Sequence, residues 1–555
     1  MKLGWVRRLL PVCVAVFFFA FFGAGSTHAE QAALTATVRP PAAVLSEVAA
    51  TPDAGPSAES ASESSSGSAL SEPHSGNGPS SKKSAAGCED LENVFFWLAG
   101  GISSPRIQRL ASGAGIACRV TPTCAHTLEK AGADATLIHF LGNSGAARKL
   151  LLASTAKSAS RTCACAGAAA EVAILIHRKN LSGAEEKLHA LAKNDPSNAM
   201  ALFVLGTVLR REERFDESYD ALADSAHLMP EFAETHAELS YNFYRTNDSD
   251  NALAEARTAL SIDPGNAAGY RFLGLAHYAD GRYEAALNAF EKSLERAPDN
   301  ADVYFDMGIT QRDKGDMPQA AIAYRHALAL RPDFWEAHTN LGVVLRDEGK
   351  LDEAVAEYRT ALKLKPDEPS VRSNLGNTLC DKEDFDKAIA EFKTLYQQMP
   401  DWEGGHNCLA RAYMAKRDYP AAIHELRAAI EQNPAGAAEY RVLGQALLLT
   451  GQDEEAVTVL RKAVELNPES ALGHHYLGTA LVNTQDMAGA EKEFREAVRL
   501  QPSGQNHYSL AACLMALNRY EEALGELEIA SRLDPKESLY RSRMQEAARM
   551  ITNTK

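Results

Sequence analysis

Cysteine and histidine crowd one stretch of this 555-residue chain: Cys118, Cys124, His126, Cys163 and Cys165. Thiolates beside an imidazole are ligands that zinc takes readily. The spacing, C-x5-C-x-H and then C-x-C, matches no standard zinc site. Together with Cys88 upstream, the cysteines at 118, 124, 163 and 165 are candidates for disulfides, which is the expectation in an oxidising compartment. A metal site and free thiols are the alternatives. A second group is polar: Asn340, Asn374, Asn377, Asn407 and Gln445, with Arg411 and Arg441. A side-chain amide donates and accepts together, so it can hold peptide backbone, and a guanidinium fork matches a carboxylate. No catalytic set is recognised. G-x-S-x-G, a phosphate loop, H-E-x-x-H and C-x-x-C-H are absent from the sequence. Gly142-Asn143-Ser144-Gly145 reads as a helix end rather than a nucleophile turn. The expectation is no enzyme, no catalytic residue, no metal and no cofactor.

The compartment is read from the N-terminus. Lys2, Arg7 and Arg8 lead into the apolar run Leu9 to Phe22, and Thr27-His28-Ala29 supplies small residues for cleavage. This is the pattern of a secretory signal peptide over residues 1–29. The apolar run is shorter than the roughly 20 residues a membrane span needs. A periplasmic or extracellular location follows, with an uncleaved N-terminal membrane anchor as the alternative. Residues 30–87 are Ala, Ser, Pro, Gly and Glu without apolar periodicity. Such a composition cannot bury enough surface to offset ordering, so a disordered tether is expected. The net charge is −16, and cleavage of the leader would leave the chain more acidic still. A phosphate backbone would be repelled, which argues against a nucleic-acid partner.

Residues 88–148 read as a small cysteine-containing helical module. Ser104-Pro105 and Thr121-Pro122 each resemble an N-cap followed by first-turn proline. Gly132 should end one helix, and Asp134 should cap the next, which carries Leu137 and Leu141. A linker follows over residues 149–164.

Residues 165–537 keep time. Pro196, Pro230, Pro264, Pro298, Pro332, Pro366, Pro400, Pro434, Pro468 and Pro502 recur every 34 residues, and Pro535 follows after 33. Gly206, Gly274, Gly308, Gly342, Gly376, Gly444 and Gly478 stand 24 residues before their prolines, and an alanine series from Ala184 to Ala490 stands 12 before, broken only at Ser218. Glycine on a first helix and alanine on a second would let the two approach closely. Gly281, Gly315, Gly349 and Gly451 fall between the helices, where a left-handed residue ends the first one. Proline cannot continue the second helix and marks its exit. The pattern resembles the tetratricopeptide repeat. That resemblance implies an all-α, right-handed superhelical solenoid of about eleven helix–turn–helix units, each covering the apolar face of the last. A capping helix over residues 538–555 should close it, with Tyr540, Met544, Ala548 and Ile551 on one face.

With each proline set at position 32, positions 2, 5, 6, 9, 12 and 13 share one face of the first helix. In the family this face lines a concave groove that binds partners. Asn340 and Asn374 at position 6 each sit in an N-L-G, and here the sequence resembles the repeats of O-linked N-acetylglucosamine transferases, whose asparagines grip peptide backbone. The resemblance carries over to these two positions only. His338, His406 and His474 share position 4, two repeats apart; that separation is on the order of 20 Å, too far for shared metal bonds, so core packing is expected. The reading is a non-enzymatic scaffold of the cell envelope that binds a protein or peptide in its groove. The alternatives are a membrane-anchored assembly subunit of an export or outer-membrane machine, and a redox or metal role for the cysteine-rich module.

Overall fold

A computed structural model describes residues 89–114, 120–143 and 167–554. The expected leader, tether and linker lie outside the described residues, as do Cys88, Cys118, Cys163 and Cys165. Among the described residues there are 27 helices and no strand. From Ala168 onward the helices follow in eleven pairs, and a last helix, Ser538–Thr554, ends the order. The described residues divide between Val344 and Leu345 into two compact units.

The turns obey the expected chemistry. Gly281, Gly315, Gly349 and Gly451 have φ of 70°, 94°, 75° and 74°. Where glycine is lacking, Glu213, Asn247, Glu383, Arg417 and Gln485 take the same left-handed conformation at φ between 60° and 67°. The helical glycines make room for the second helix, chiefly for its large side chains. A Cβ on Gly376 would lie 2.6 Å from the Phe392 ring, one on Gly308 2.5 Å from the Tyr324 ring, and one on Gly206 2.5 Å from Leu222. Each glycine therefore admits a large side chain from the second helix, and at Gly206 the Ser218 backbone carbonyl also lies 3.2 Å from the Cβ position. Phe392, Tyr324 and Leu222 are fully buried by it.

In the N-terminal unit, four short helices precede the pairs: Glu89–Ala99, Ser104–Ala114, Pro122–Lys130 and Ala135–Asn143. Thr121 caps the third by accepting from the Cys124 amide at 3.2 Å. Asp134 Oδ1 accepts from the Leu137 amide at 2.8 Å, and hydrogen bonds from Ser104 and Thr136 hold its carboxyl below the usual range. The second helix begins at Ser104, one residue before the expected first turn. These helices share a core with the first pairs: Val94, Phe95 and Phe96 lie with Ala169, Val172 and Phe203. They form one hydrophobic cluster with the start of the repeats.

In the C-terminal unit the core runs from Ala410 to Ala547. The closing helix buries Tyr540 and Ala547 and packs Met544. Ala548, expected on that face, is exposed. The seam follows an i, i+4, i+7 path in which residue 547, not 548, meets the preceding pair.

Candidate functional site

The first helices present positions 2, 5, 6, 9, 12 and 13 mostly as partly or fully buried side chains, and many of these are tied from one repeat to the next. Position 12 of one repeat meets position 6 of the following one. In the N-terminal unit Arg210 Nε lies 2.7 Å from Glu238 Oε2, and Arg312 Nη1 donates to Asn340 Oδ1 at 3.1 Å. Arg271, at position 5, donates to Asp306 at 2.6 Å. Asp306 is buried, and that burial pushes its carboxyl upward against the pull of Arg271.

In the C-terminal unit the same register is covalent. Cys380 at position 12 and Cys408 at position 6 form a disulfide with Cα atoms 5.8 Å apart. Both are buried. This bridge was not among the expected pairs. Its signal was the repeat register itself, since 12-to-6 contacts are 28 residues apart. Cys124, which was among the candidates, is disulfide-bonded. Cys513 is free and buried, and that burial pushes its thiol up to about 11.

The expected binding residues separate into two sets. Asn340 accepts from Arg312, as above. Asn407 Nδ2 donates to Glu439 Oε1 at 3.0 Å, and Glu439 is buried. Arg411 turns to Asp381 at 3.4 Å, a carboxylate that Arg346 also holds at 2.7 Å. The second set is unengaged. Among the described residues, Asn374, Asn377, Arg441 and Gln445 have no side-chain hydrogen bond or ion pair, and all four are partly buried. Arg441 instead lies near Tyr476, whose phenol is pushed up by burial and pulled down by the arginine's charge. Beyond the disulfide, the face carries apolar side chains at positions 6 and 12. Met414, Val442, Leu448, Tyr476 and Val482 are each partly buried against the core.

The position-4 histidines are partly or fully buried, as expected, and each is also tied by polar partners. His474 Nδ1 lies 2.6 Å from Glu493 Oε2, and its Nε2 3.0 Å from the Pro468 carbonyl. His236 repeats this with Glu255 at 2.7 Å and Pro230 at 3.0 Å. His406 pairs with Glu425 at 2.7 Å, and His338 Nε2 reaches the Pro332 carbonyl at 3.1 Å. An imidazolium satisfies both acceptors at once. A glutamate recurring 19 residues after each histidine was the sequence signal. No group of three or more potential metal ligands exists among the described residues. No helix among them is long and apolar enough to cross a membrane.

Family models described as tetratricopeptide repeat match residues 178–228, 305–369, 409–471 and 477–538, residues 265–333, and residues 345–412. Together they span more than half of the chain. It is a tetratricopeptide-repeat protein. The small glutamine-rich tetratricopeptide repeat-containing protein 2 of Saccharomyces cerevisiae is 35% identical over 82 residues, which is 15% of this chain and 22% of that protein. The chain thus spans about a fifth of that curated relative's length. Among solved structures, pilF of Pseudomonas aeruginosa is 20% identical, with 38% of this chain and 94% of that chain covered and a TM-score of 0.34. YrrB, described as a TPR protein with an unusual peptide-binding site, is 24% identical, with 36% and 99% covered and a TM-score of 0.29. A chain of the APC/C Cut9–Hcn1 hetero-tetramer is 14% identical, with 69% and 84% covered and a TM-score of 0.33. A tetratricopeptide-repeat fold is typically a non-catalytic scaffold and suits a protein-binding role.

Proposed function

We propose that this tetratricopeptide-repeat protein is a non-enzymatic scaffold that holds a peptide segment of another protein in the groove of its C-terminal unit. One observation carries the reading. Among the described residues Arg441 is a partly buried cation with no ion-pair partner, near Tyr476 on a face that also carries partly buried Met414, Val442 and Leu448. A guanidinium withdrawn from water without a partner is a cost that a bound carboxylate would remove. Gln445, Asn377 and Asn374 offer unengaged amides on the same face for peptide backbone. A peptide with apolar side chains around one carboxylate fits this chemistry.

The scaffold is proposed to work outside the cytoplasm, periplasmic or extracellular. The signal-peptide pattern of residues 1–29 supports this, as do the disulfides at Cys380–Cys408 and Cys124, because such bonds persist in oxidising compartments. Sequencing the N-terminus of the mature protein tests the export; residue 30 is the expected start, and a chain that keeps Met1 or Lys2 argues for an anchor.

A photo-crosslinker tests the face. Placed at Gln445 it should capture a partner that one at exposed Thr458, on the second helix, does not. Arg441→Ala should abolish the capture without altering the fold. Equal capture from both positions would sink the assignment of the face.

A further inference from the structure

A cavity of about 390 Å³ opens where the N-terminal helices meet the repeats. Its walls are Trp97, Leu110, Met200, Met229 and Phe232, and its polar members are Asn93, Arg106 and Arg109. Four chain segments build it. Asn93 and Trp97 are four apart on the helix Glu89–Ala99, and Arg106, Arg109 and Leu110 share one face of the helix Ser104–Ala114. Met200 opens the helix Ala199–Arg211, while Met229 and Phe232 lie in the turn after Leu228. We propose that this cleft is a second docking site, which takes a large apolar side chain of an acidic peptide segment. It lies in the N-terminal unit and does not rest on the reading of Arg441.

The chemistry of the walls selects the occupant. Trp97 is only 6% exposed, and its indole N–H has no acceptor. Ring walls of tryptophan and phenylalanine with two flexible methionines accept aliphatic and aromatic side chains of several shapes. The volume suits one or two such side chains and lies at the small end for free ligands. The cleft is also open to solvent, whereas a free small molecule needs most of its surface covered. A side chain carried on a peptide needs only its apolar end covered.

The charges select the neighbour of that side chain. Arg106 is neutralised twice, by Glu234 at 2.6 Å and Asp263 at 2.6 Å. It fixes the wall and has no charge to spare. Arg109 lies one turn along, exposed and, among the described residues, without an ion pair, and so is an uncompensated cation at the mouth. The Asn93 amide is likewise unengaged and can bond a peptide group. The ligand class is therefore a leucine-, methionine- or aromatic-bearing segment with aspartate or glutamate close by.

The test uses the full chain and a positional-scanning library of N-acetylated, C-amidated octapeptides, read by competition against a fluorescent lead. Selected sequences should carry a large apolar residue with an acid within three positions. Arg109→Glu should weaken the lead by roughly five- to ten-fold, and replacing the lead's acids by lysine should restore affinity to that variant. Arg109 is exposed and unpaired, so the thermal melt should be unchanged. Leu110→Trp should fill the cavity and lower affinity further. Arg441→Ala should have no effect. The proposal is overturned if no such sequence is selected, or if Arg109→Glu leaves affinity and charge preference unchanged. It is also overturned if the loss follows Arg441→Ala, or if dodecanoate displaces a probe that no peptide displaces.

Discussion

Gly376 and Gly525 are both helical glycines, yet only one of them is required by its surroundings. A Cβ on Gly376 would stand 2.6 Å from a ring carbon of Phe392, whose side chain is fully buried. Gly376→Ala should therefore lower stability by about 1–3 kcal/mol, the usual cost of overpacking. Nothing lies within 4 Å of a Cβ on Gly525, so Gly525→Ala should be neutral or stabilising by up to about 1 kcal/mol. Denaturant melts of the two variants check the contrast, and equal effects would refute the packing role assigned to Gly376. The other decisive side chains at this scale are Cys380 and Cys408. Their bond closes a span of 28 residues, for which the chain-entropy relation gives about 3.5 kcal/mol. The double variant Cys380→Ser, Cys408→Ser should lose stability of that order in the C-terminal unit. Further reduction should then leave that unit unchanged. The glycines were legible in the sequence because a steric demand repeats as a residue type. The disulfide was not, because its partners are defined by a contact between repeats, and the 28-residue register that joins positions 12 and 6 becomes a signal only once that contact is known.

Helix pairs are held by polar ties whose protonation matters. The His474 ring stays between the Glu493 carboxylate and the Pro468 carbonyl, and the hydrogen bond to Glu493 raises its pKa, with burial opposing. The neighbouring His475 is buried, and that burial pushes it down to about 4 despite its contact with Asn506. The two act in opposite directions. For His474 the folded pKa is raised, so its contribution is complete below the ordinary value near 6.5 and is lost as pH rises through the folded value. For His475 the folded pKa is depressed, so the fold loses stability as pH falls from about 6.5 toward 4. Denaturation across pH 4 to 9 should show both limbs. His474→Gln should flatten the alkaline limb, and His475→Gln the acid one; a variant that flattens the wrong limb would refute the assignment. The position-4 histidines looked like core residues in the sequence. Period alone could not separate an apolar contact from a charged tie, because both occupy the same inward-facing position.

The whole chain depends on how its stack begins. Val94, Phe95 and Phe96 share a core with Ala169, Val172 and Phe203, so the N-terminal helices cover the open face of the first pair. A fragment of residues 165–555 should expose that face, bind a hydrophobic dye and melt its first repeats early. A fragment of residues 89–555 should do neither, and identical behaviour of the two would contradict the covering role. The number and phase of the pairs were readable from the proline clock. The covering core and the cleft beside it were not, since segments more than seventy residues apart build them and no local pattern links them. The Cys380–Cys408 bridge has a consequence under load. A stack of repeats pulled from its ends extends as its pairs peel away. The residues between the two sulfurs stay out of the stretched length until the bond is reduced. At about 3.4 Å per extended residue, that withholds on the order of 90 Å of slack. Reductant, rather than force, would set the final reach of the chain.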